Sequence, residues 1–197
     1  MKFDFKNDPI DNFLKSIHFV QLKGIPEHNA MALATVTNDK PANRIVLYKG
    51  MNAGGFSFYT NYDGRKGQQL SKNKNVAATF FWPHIDHQIR IEGYVEKLSD
   101  SDSDQYFSTR PRLSQLGAWA SNQSSTISSF DEFQKKTDDI ENKFKNQKIQ
   151  RPQHWGGFRI VPLEIEFWFG KTGRLHERYI YQRESANSPW NRFLRSP

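Results

Sequence analysis

Near the end of the chain, Arg174, His176 and Arg178 alternate along RLHERYIYQR. Strand side chains alternate between faces, so these three would share one face, with Leu175, Tyr179 and Tyr181 on the other. Two guanidiniums and an imidazole in a row repel each other unless an anion lies in front of them. The ordinary alternative for such a run is a solvated basic edge. Neighbours on one strand face lie about 7 Å apart, so the row could reach from one small ring to a second beside it. Other cations occur earlier. Arg65 and Lys66 follow Gly64 at the start of a short helix, where a guanidinium, an ammonium and the helix N-terminus suit phosphate. Arg44 and Lys49 sit in NRIVLYK. Tyr106, Arg110 and Ser114 combine a phenol, a guanidinium and a hydroxyl, a set suited to a phosphate monoester. Tyr106 and Arg110 are four apart and share a helix face if the helix runs that far.

Other chemistries lack their residues. There is neither G-x-G-x-x-G nor G-x-x-x-x-G-K-[ST], so a phosphorylated ligand must be held by side chains. His84-Ile85-Asp86-His87 follows a proline between two strands and has no further ligand cluster, so no metal is expected. Cysteine is absent, which removes thiol and disulfide chemistry. The net charge is +7, yet many arginines lie inside aromatic, strand-like segments and not in a tail. That placement favours discrete anion pockets over a nucleic-acid surface. No apolar run reaches bilayer length and no signal-like start is present, so a cytoplasmic protein with no membrane partner is expected.

The elements that would carry these residues read as mainly β with flanking helices, in a single domain over residues 1–197 with residues 1–7 loose. Asp8-Pro9 starts a helix with Ile10, Phe13, Leu14 and Ile17 on its packed face. Strands are predicted over 30–36, 43–49, 56–60, 76–82 and 88–98, with a short helix over 64–73. Short helices follow over 102–108 and 113–121. Ser129 and Glu132 form a capping box for a longer helix striped by Phe130, Phe133, Ile140 and Phe144. From Trp155 to Arg183 three short strands are predicted, the first broken from the second by Pro162 and the third starting after Lys171-Thr172-Gly173.

RIVLYK, FYTNYDGRKGQQL, QIRIEGYVEKL, YFSTRPRLSQLGAWASNQSS, HWGGFRI, IEFWFG and RLHERYIYQR, in unbroken order, resemble the pyridoxine/pyridoxamine 5′-phosphate oxidase family. The resemblance implies an FMN-binding split β-barrel working as a homodimer, with FMN in clefts between subunits. It implies FMN contacts at Arg44, Ile45, Val46, Leu47, Tyr59, Thr60, Arg65, Lys66, Gln88, Gln123, Ser124, Trp168 and Arg178. It implies substrate contacts at Lys49, Tyr106, Arg110, Ser114, Arg174 and His176, the last two placing the pyridine ring for catalysis. The implied reaction takes a phosphorylated B6 vitamer to pyridoxal 5′-phosphate, with O2 as acceptor and H2O2 as product. A phenazine-type FMN oxidase, or a non-catalytic flavin or pyridoxal-phosphate binding protein, is the alternative. Strict alternation would put Arg44 and Lys49 on opposite faces, which a strand end or bulge at Lys49 would reconcile. Two departures stand out. Lys2, Phe3 and Lys6 do not match the family's Arg- and Tyr-containing segment, and Leu194-Arg195 inverts the family's C-terminal Arg-Leu.

Overall fold

The computed structural model describes residues 3–197. The expectation of a loose end at Met1 and Lys2 lies outside the described residues. Phe3 and Phe5 do not hang free: Phe3 packs on Phe167, Phe169 and Tyr179, and Phe5 on Tyr179 and Tyr181.

Helix α1 (Pro9–Leu22) starts as its sequence requires, with the Asp8 carboxylate accepting from Ile10 N–H at 2.8 Å. Its buried face carries Phe13 and Val20 but also Asn12 and Ser16, while Leu14 stays exposed. The face is turned from the apolar stripe because Asn12 is drawn inward, donating to Tyr181 Oη and to the Asp4 carbonyl, both at 2.9 Å. Phe13 is fully buried against Tyr48, Phe56 and Phe80, with ring centroids 4.8–5.2 Å apart.

Strands β1 (Ala30–Thr37), β2 (Lys40–Leu47), β3 (Met51–Asn52), β4 (Gly55–Asn61), β5 (Asn75–Trp82) and β6 (His87–Lys97) join the later β7 (Trp155–Phe169), β8 (Glu177–Gln182) and β9 (Asn191–Leu194). All pair antiparallel in one nine-stranded sheet of order β2-β1-β5-β6-β7-β4-β3, with β8 and β9 branching from β7. The sheet does not close. Helices α2 (Arg65–Lys72), α3 (Asp100–Thr109), α4 (Arg112–Ala120) and α5 (Phe130–Lys143) flank it.

Pro162 does not break β7, which runs unbroken for 15 residues. Proline lacks the N–H a central ladder needs, and here it stands opposite Gly93 at a register shift. A Cβ on Gly93 would lie 2.0 Å from the Val161 carbonyl oxygen, so only glycine fits. At this irregularity β7 changes partners: residues 155–160 pair with β4, residues 164–169 with β8. The proline marks where the sheet splits.

Ser129 caps α5 as expected, accepting from Glu132 N–H at 3.1 Å. The apolar stripe of that helix is only partly used. No α5 residue is fully buried and Phe130 is 83% exposed, while Ile140 and the following Phe144 pack on the smaller core around Phe107, Leu116 and Trp155.

Candidate active site

A cavity of about 870 Å³ opens between β2, β4, the start of α2, the α3–α4 junction and the 121–124 loop. Its wall contains Arg44 to Leu47, Lys49, Tyr59, Thr60, Arg65, Lys66, Tyr106, Arg110, Ser114, Gln123 and Ser124, all of them residues singled out from sequence. Five lining side chains are cationic and none is a carboxylate. Uncompensated cations in a half-buried concavity call for an anionic ligand.

One cation group lies at the start of α2. Gly64 caps that helix without a side-chain hydrogen bond, so its first N–H groups stay open. Lys66 Nζ donates to Thr60 Oγ1 and to Gln123 Oε1 at 3.4 Å. Burial, then the nearby Arg44 charge, push the Lys66 ammonium down to about 8. Arg44 is half-buried and is also pushed below its ordinary value, by burial and then by Arg65. Its Nη1 donates to Thr35 Oγ1 at 2.7 Å and Leu33 O at 3.1 Å, and its Nη2 to Gln69 Oε1 at 2.9 Å.

The second group is built by a helix break. Helix α3 ends at Thr109, and Arg110 adopts an extended backbone ahead of Pro111, as a residue before proline prefers. Tyr106 and Arg110 therefore meet on the cavity wall through this break and not by sharing a helix face. Ser114 enters from the first turn of α4. The Arg110 guanidinium carbon lies 4.6 Å from the Trp155 ring centre, and its Nη1 is buried without a hydrogen-bond partner. Arg110 lines the cavity, and a guanidinium with an unpaired nitrogen suits an anionic ligand such as a phosphate. Tyr106 stacks on Tyr59 at 3.8 Å, and burial pushes the Tyr59 phenol up to about 12, so it stays a neutral donor. Lys49 joins because β2 ends at Leu47, which frees it from strand alternation. Its N–H donates to Ser57 O, and Gly50 turns the chain with φ +109°.

The other five predicted residues do not line this cavity. Gln88, Trp168 and Arg178 form a row across β6, β7 and β8 through the pairs Gln88–Trp168 and Trp168–Arg178. His176 tilts against Trp168 at 4.6 Å, and its Nδ1 accepts from Lys171 N–H, which leaves the proton of the neutral ring on Nε2. The shared strand face expected for Arg174, His176 and Arg178 is absent. Arg174 ends a 3-10 turn with φ +62°, and β8 starts only at Glu177. The positive φ values of Gly173 and Arg174 turn the chain before the ladder resumes. Nor does Arg178 face open anion space: Glu166 takes its Nε at 2.7 Å and Nη2 at 3.0 Å. Glu166 was missed, although alternation in IEFWF places it beside Trp168 on one face. Thr35 and Gln69 were missed without any local signal, being buried polar residues far apart in sequence. The inverted C-terminus has its own anchor, since Arg195 reaches Glu164 at 2.8 Å.

Two family models cover most of the chain. Residues 20–144 match "Pyridoxamine 5′-phosphate oxidase" and residues 155–197 match "Pyridoxine 5′-phosphate oxidase C-terminal dimerisation region". The pyridoxine/pyridoxamine 5′-phosphate oxidase of Bdellovibrio bacteriovorus is 50% identical over 99% of this chain and 100% of its own length. The chain belongs to the pyridoxamine 5′-phosphate oxidase family. The enzyme of the same name from Nostoc punctiforme is 52% identical over 84% of this chain and 78% of its own. Among solved structures, PhzG from Burkholderia lata, in complex with tetrahydrophenazine-1-carboxylic acid, superposes with a TM-score of 0.92 at 25% identity, covering 100% of this chain and 98% of that one. A family member's split barrel is thus what the sheet here builds. The family's dimerisation region contains Trp168, Arg174, His176 and Arg178, four of the five residues the cavity leaves out.

Proposed function

We propose that this protein oxidises pyridoxamine 5′-phosphate or pyridoxine 5′-phosphate to pyridoxal 5′-phosphate, using FMN, with dioxygen as acceptor and hydrogen peroxide as product. One observation carries the reading: a cavity lined by two cation groups and no carboxylate, with the Arg110 Nη1 orphaned in its wall. Two phosphates, one from cofactor and one from substrate, account for both groups.

Arg44, Arg65 and Lys66 would hold the FMN phosphate, with Thr60, Gln123 and Ser124 as hydrogen-bonding neighbours and residues 45–47 and Tyr59 alongside. Lys49, Tyr106, Arg110 and Ser114 would hold the substrate phosphate. When bound, FMN supplies the hydride acceptor and the route for electrons to dioxygen. The protein orients and desolvates the reactants. Gln88, Trp168 and Arg178 complete the flavin site, and Arg174 and His176 place the substrate ring, in each case from the second subunit of a homodimer. That arrangement is supported by the separation of the two residue sets on one chain and by the dimerisation region that contains four of those five residues. The Glu166 contact makes Arg178 a charge-neutral pair, so it acts by hydrogen bonding more than by net charge.

The test is the visible spectrum of the purified protein followed by peroxide release on adding pyridoxamine 5′-phosphate. A yellow protein that releases peroxide supports the reading; a colourless protein that takes up no FMN refutes it. The similarity to PhzG keeps one rival, an FMN oxidase of an unphosphorylated ring system. That rival has no use for Lys49 and Arg110 together, and it predicts equal turnover of pyridoxamine with and without its phosphate.

A further inference from the structure

Arg44 and Arg178 are anchored in opposite ways. Arg178 is held by a carboxylate, Glu166. Arg44 is held only by neutral acceptors. They are the Thr35 hydroxyl, the Gln69 amide oxygen and the carbonyls of Leu33 and, at 3.3 Å, Ala42. Thr35 is fully buried, Gln69 is 9% exposed, and the Thr35 hydroxyl donates to the same Gln69 oxygen at 2.8 Å. The direction of the chain is fixed by chemistry. Arginine only donates, so the Thr35 oxygen accepts from it and passes its own proton on to Gln69. Gln69 then meets two donors, so its amide must present oxygen. A glutamate at this position would make the same hydrogen bonds with better electrostatics for the protein alone.

We infer that Thr35 and Gln69 are positioning residues that aim the Arg44 guanidinium into the cavity while leaving its positive charge uncompensated, and so set the preference for a phosphorylated flavin over an unphosphorylated one. This deepens the reading that FMN binds here and rests on it. Three features agree. Among the described residues Arg44 has no carboxylate within ion-pair distance, and burial followed by a neighbouring cation lowers both Arg44, beside Arg65, and Lys66, beside Arg44. The Arg44 Nε hydrogen is not used by any of the four anchors. Burial of the anchoring oxygens keeps water from replacing them, so the orientation is built before the ligand arrives.

The test compares FMN and riboflavin binding to the apoprotein by flavin fluorescence, in wild type, Gln69→Glu, Gln69→Met, Thr35→Val and Thr35→Ser. Gln69→Glu keeps the hydrogen bonds and neutralises the charge. It should cut the FMN-over-riboflavin preference by about tenfold or more, with riboflavin affinity unchanged. Gln69→Met and Thr35→Val free the guanidinium and should cut it by a smaller factor; Thr35→Ser should bind like wild type. A second readout needs no flavin: the rotation rate of the Arg44 guanidinium by NMR, slow in wild type and Gln69→Glu, faster in Gln69→Met. Undiminished FMN preference in Gln69→Glu, or an unchanged rotation rate in Gln69→Met, overturns the inference. If the wild-type protein itself shows no preference for FMN, the flavin reading fails, whereas the NMR comparison still decides whether Gln69 positions Arg44.

Discussion

The carboxylate of Glu166 and the guanidinium of Arg178 form a two-point contact across β7 and β8, with Nε–Oε1 at 2.7 Å and Nη2–Oε2 at 3.0 Å. Glu166 is 2% exposed, and Arg90 and Arg195 stand 3.4 and 3.5 Å from its Oε2. Removing one partner of such a buried pair leaves the other uncompensated, at a cost of about 3–5 kcal/mol. Glu166→Ala should therefore lower the unfolding free energy of the apoprotein by about 3 kcal/mol in urea denaturation. A wild-type midpoint in that variant would show that the pair contributes no stability. Arg178→Ala leaves the carboxylate with Arg90 and Arg195 as its remaining cations, so it should lose flavin with a smaller loss of stability. Flavin loss in that variant is meaningful only beside its measured stability.

The Lys66 ammonium, pushed down to about 8, gives FMN binding a pH signature. The phosphate binds the charged form, so affinity should be full below pH about 8 and fall as the pH rises through it. Riboflavin should show no such fall. The folded-state value lies below the unfolded one, so between about 8 and the ordinary 10.5 the unfolded chain holds more protons. Apoprotein stability from this group therefore rises with pH across that window. Lys66→Arg should remove the fall in FMN affinity, since a guanidinium stays charged there. A pH-independent FMN dissociation constant in wild type would count against Lys66 as a phosphate ligand.

Arg110→Ala should leave the protein yellow and lower kcat/KM for pyridoxamine 5′-phosphate by about a hundredfold, mainly through KM. That is the loss of about two charge-assisted hydrogen bonds to a phosphate. Steady-state peroxide assays on the flavin-loaded variant check both parameters. Loss of colour in this variant would move Arg110 to the cofactor.

Arg174→Ala should lower turnover with FMN retained. A mixture with Arg110→Ala decides the subunit arrangement. If Arg110 and Arg174 act in one site from different subunits, co-refolded chains of the two variants contain heterodimers with one intact site and one doubly altered site. Activity should then rise well above that of either variant alone. If both residues act from the same chain, every site carries one defect and mixing restores nothing.

Phe13 is fully buried among three aromatic rings, so Phe13→Ala should cost about 3–5 kcal/mol by chemical denaturation. Phe130→Ser should change stability by no more than about 0.5 kcal/mol, because that ring lies on the surface. Equal losses would mean that α5 packs through its N-terminal half after all.

The sequence by itself determined the local elements and the chemistry they carry. Asp8-Pro9 and Ser129/Glu132 start helices through contacts within a few residues, so they are legible without a fold. The cation groups around Arg44/Arg65/Lys66 and Lys49/Arg110 were legible through the family resemblance, because the long stretches that carry it contain these residues. What depended on partners distant in the chain was not legible. Whether Pro162 ends a strand or splits a sheet depends on Gly93 opposite it. Whether Arg174 continues a strand depends on where β8 finds β7, and the pairing begins three residues later. The neutral anchoring of Arg44 and the charged anchoring of Arg178 turn on Thr35, Gln69 and Glu166, none of them a sequence neighbour of the arginine it holds. A residue's type states which bonds it can make; only tertiary packing, by excluding water and bringing remote strands together, decides which bonds it does make.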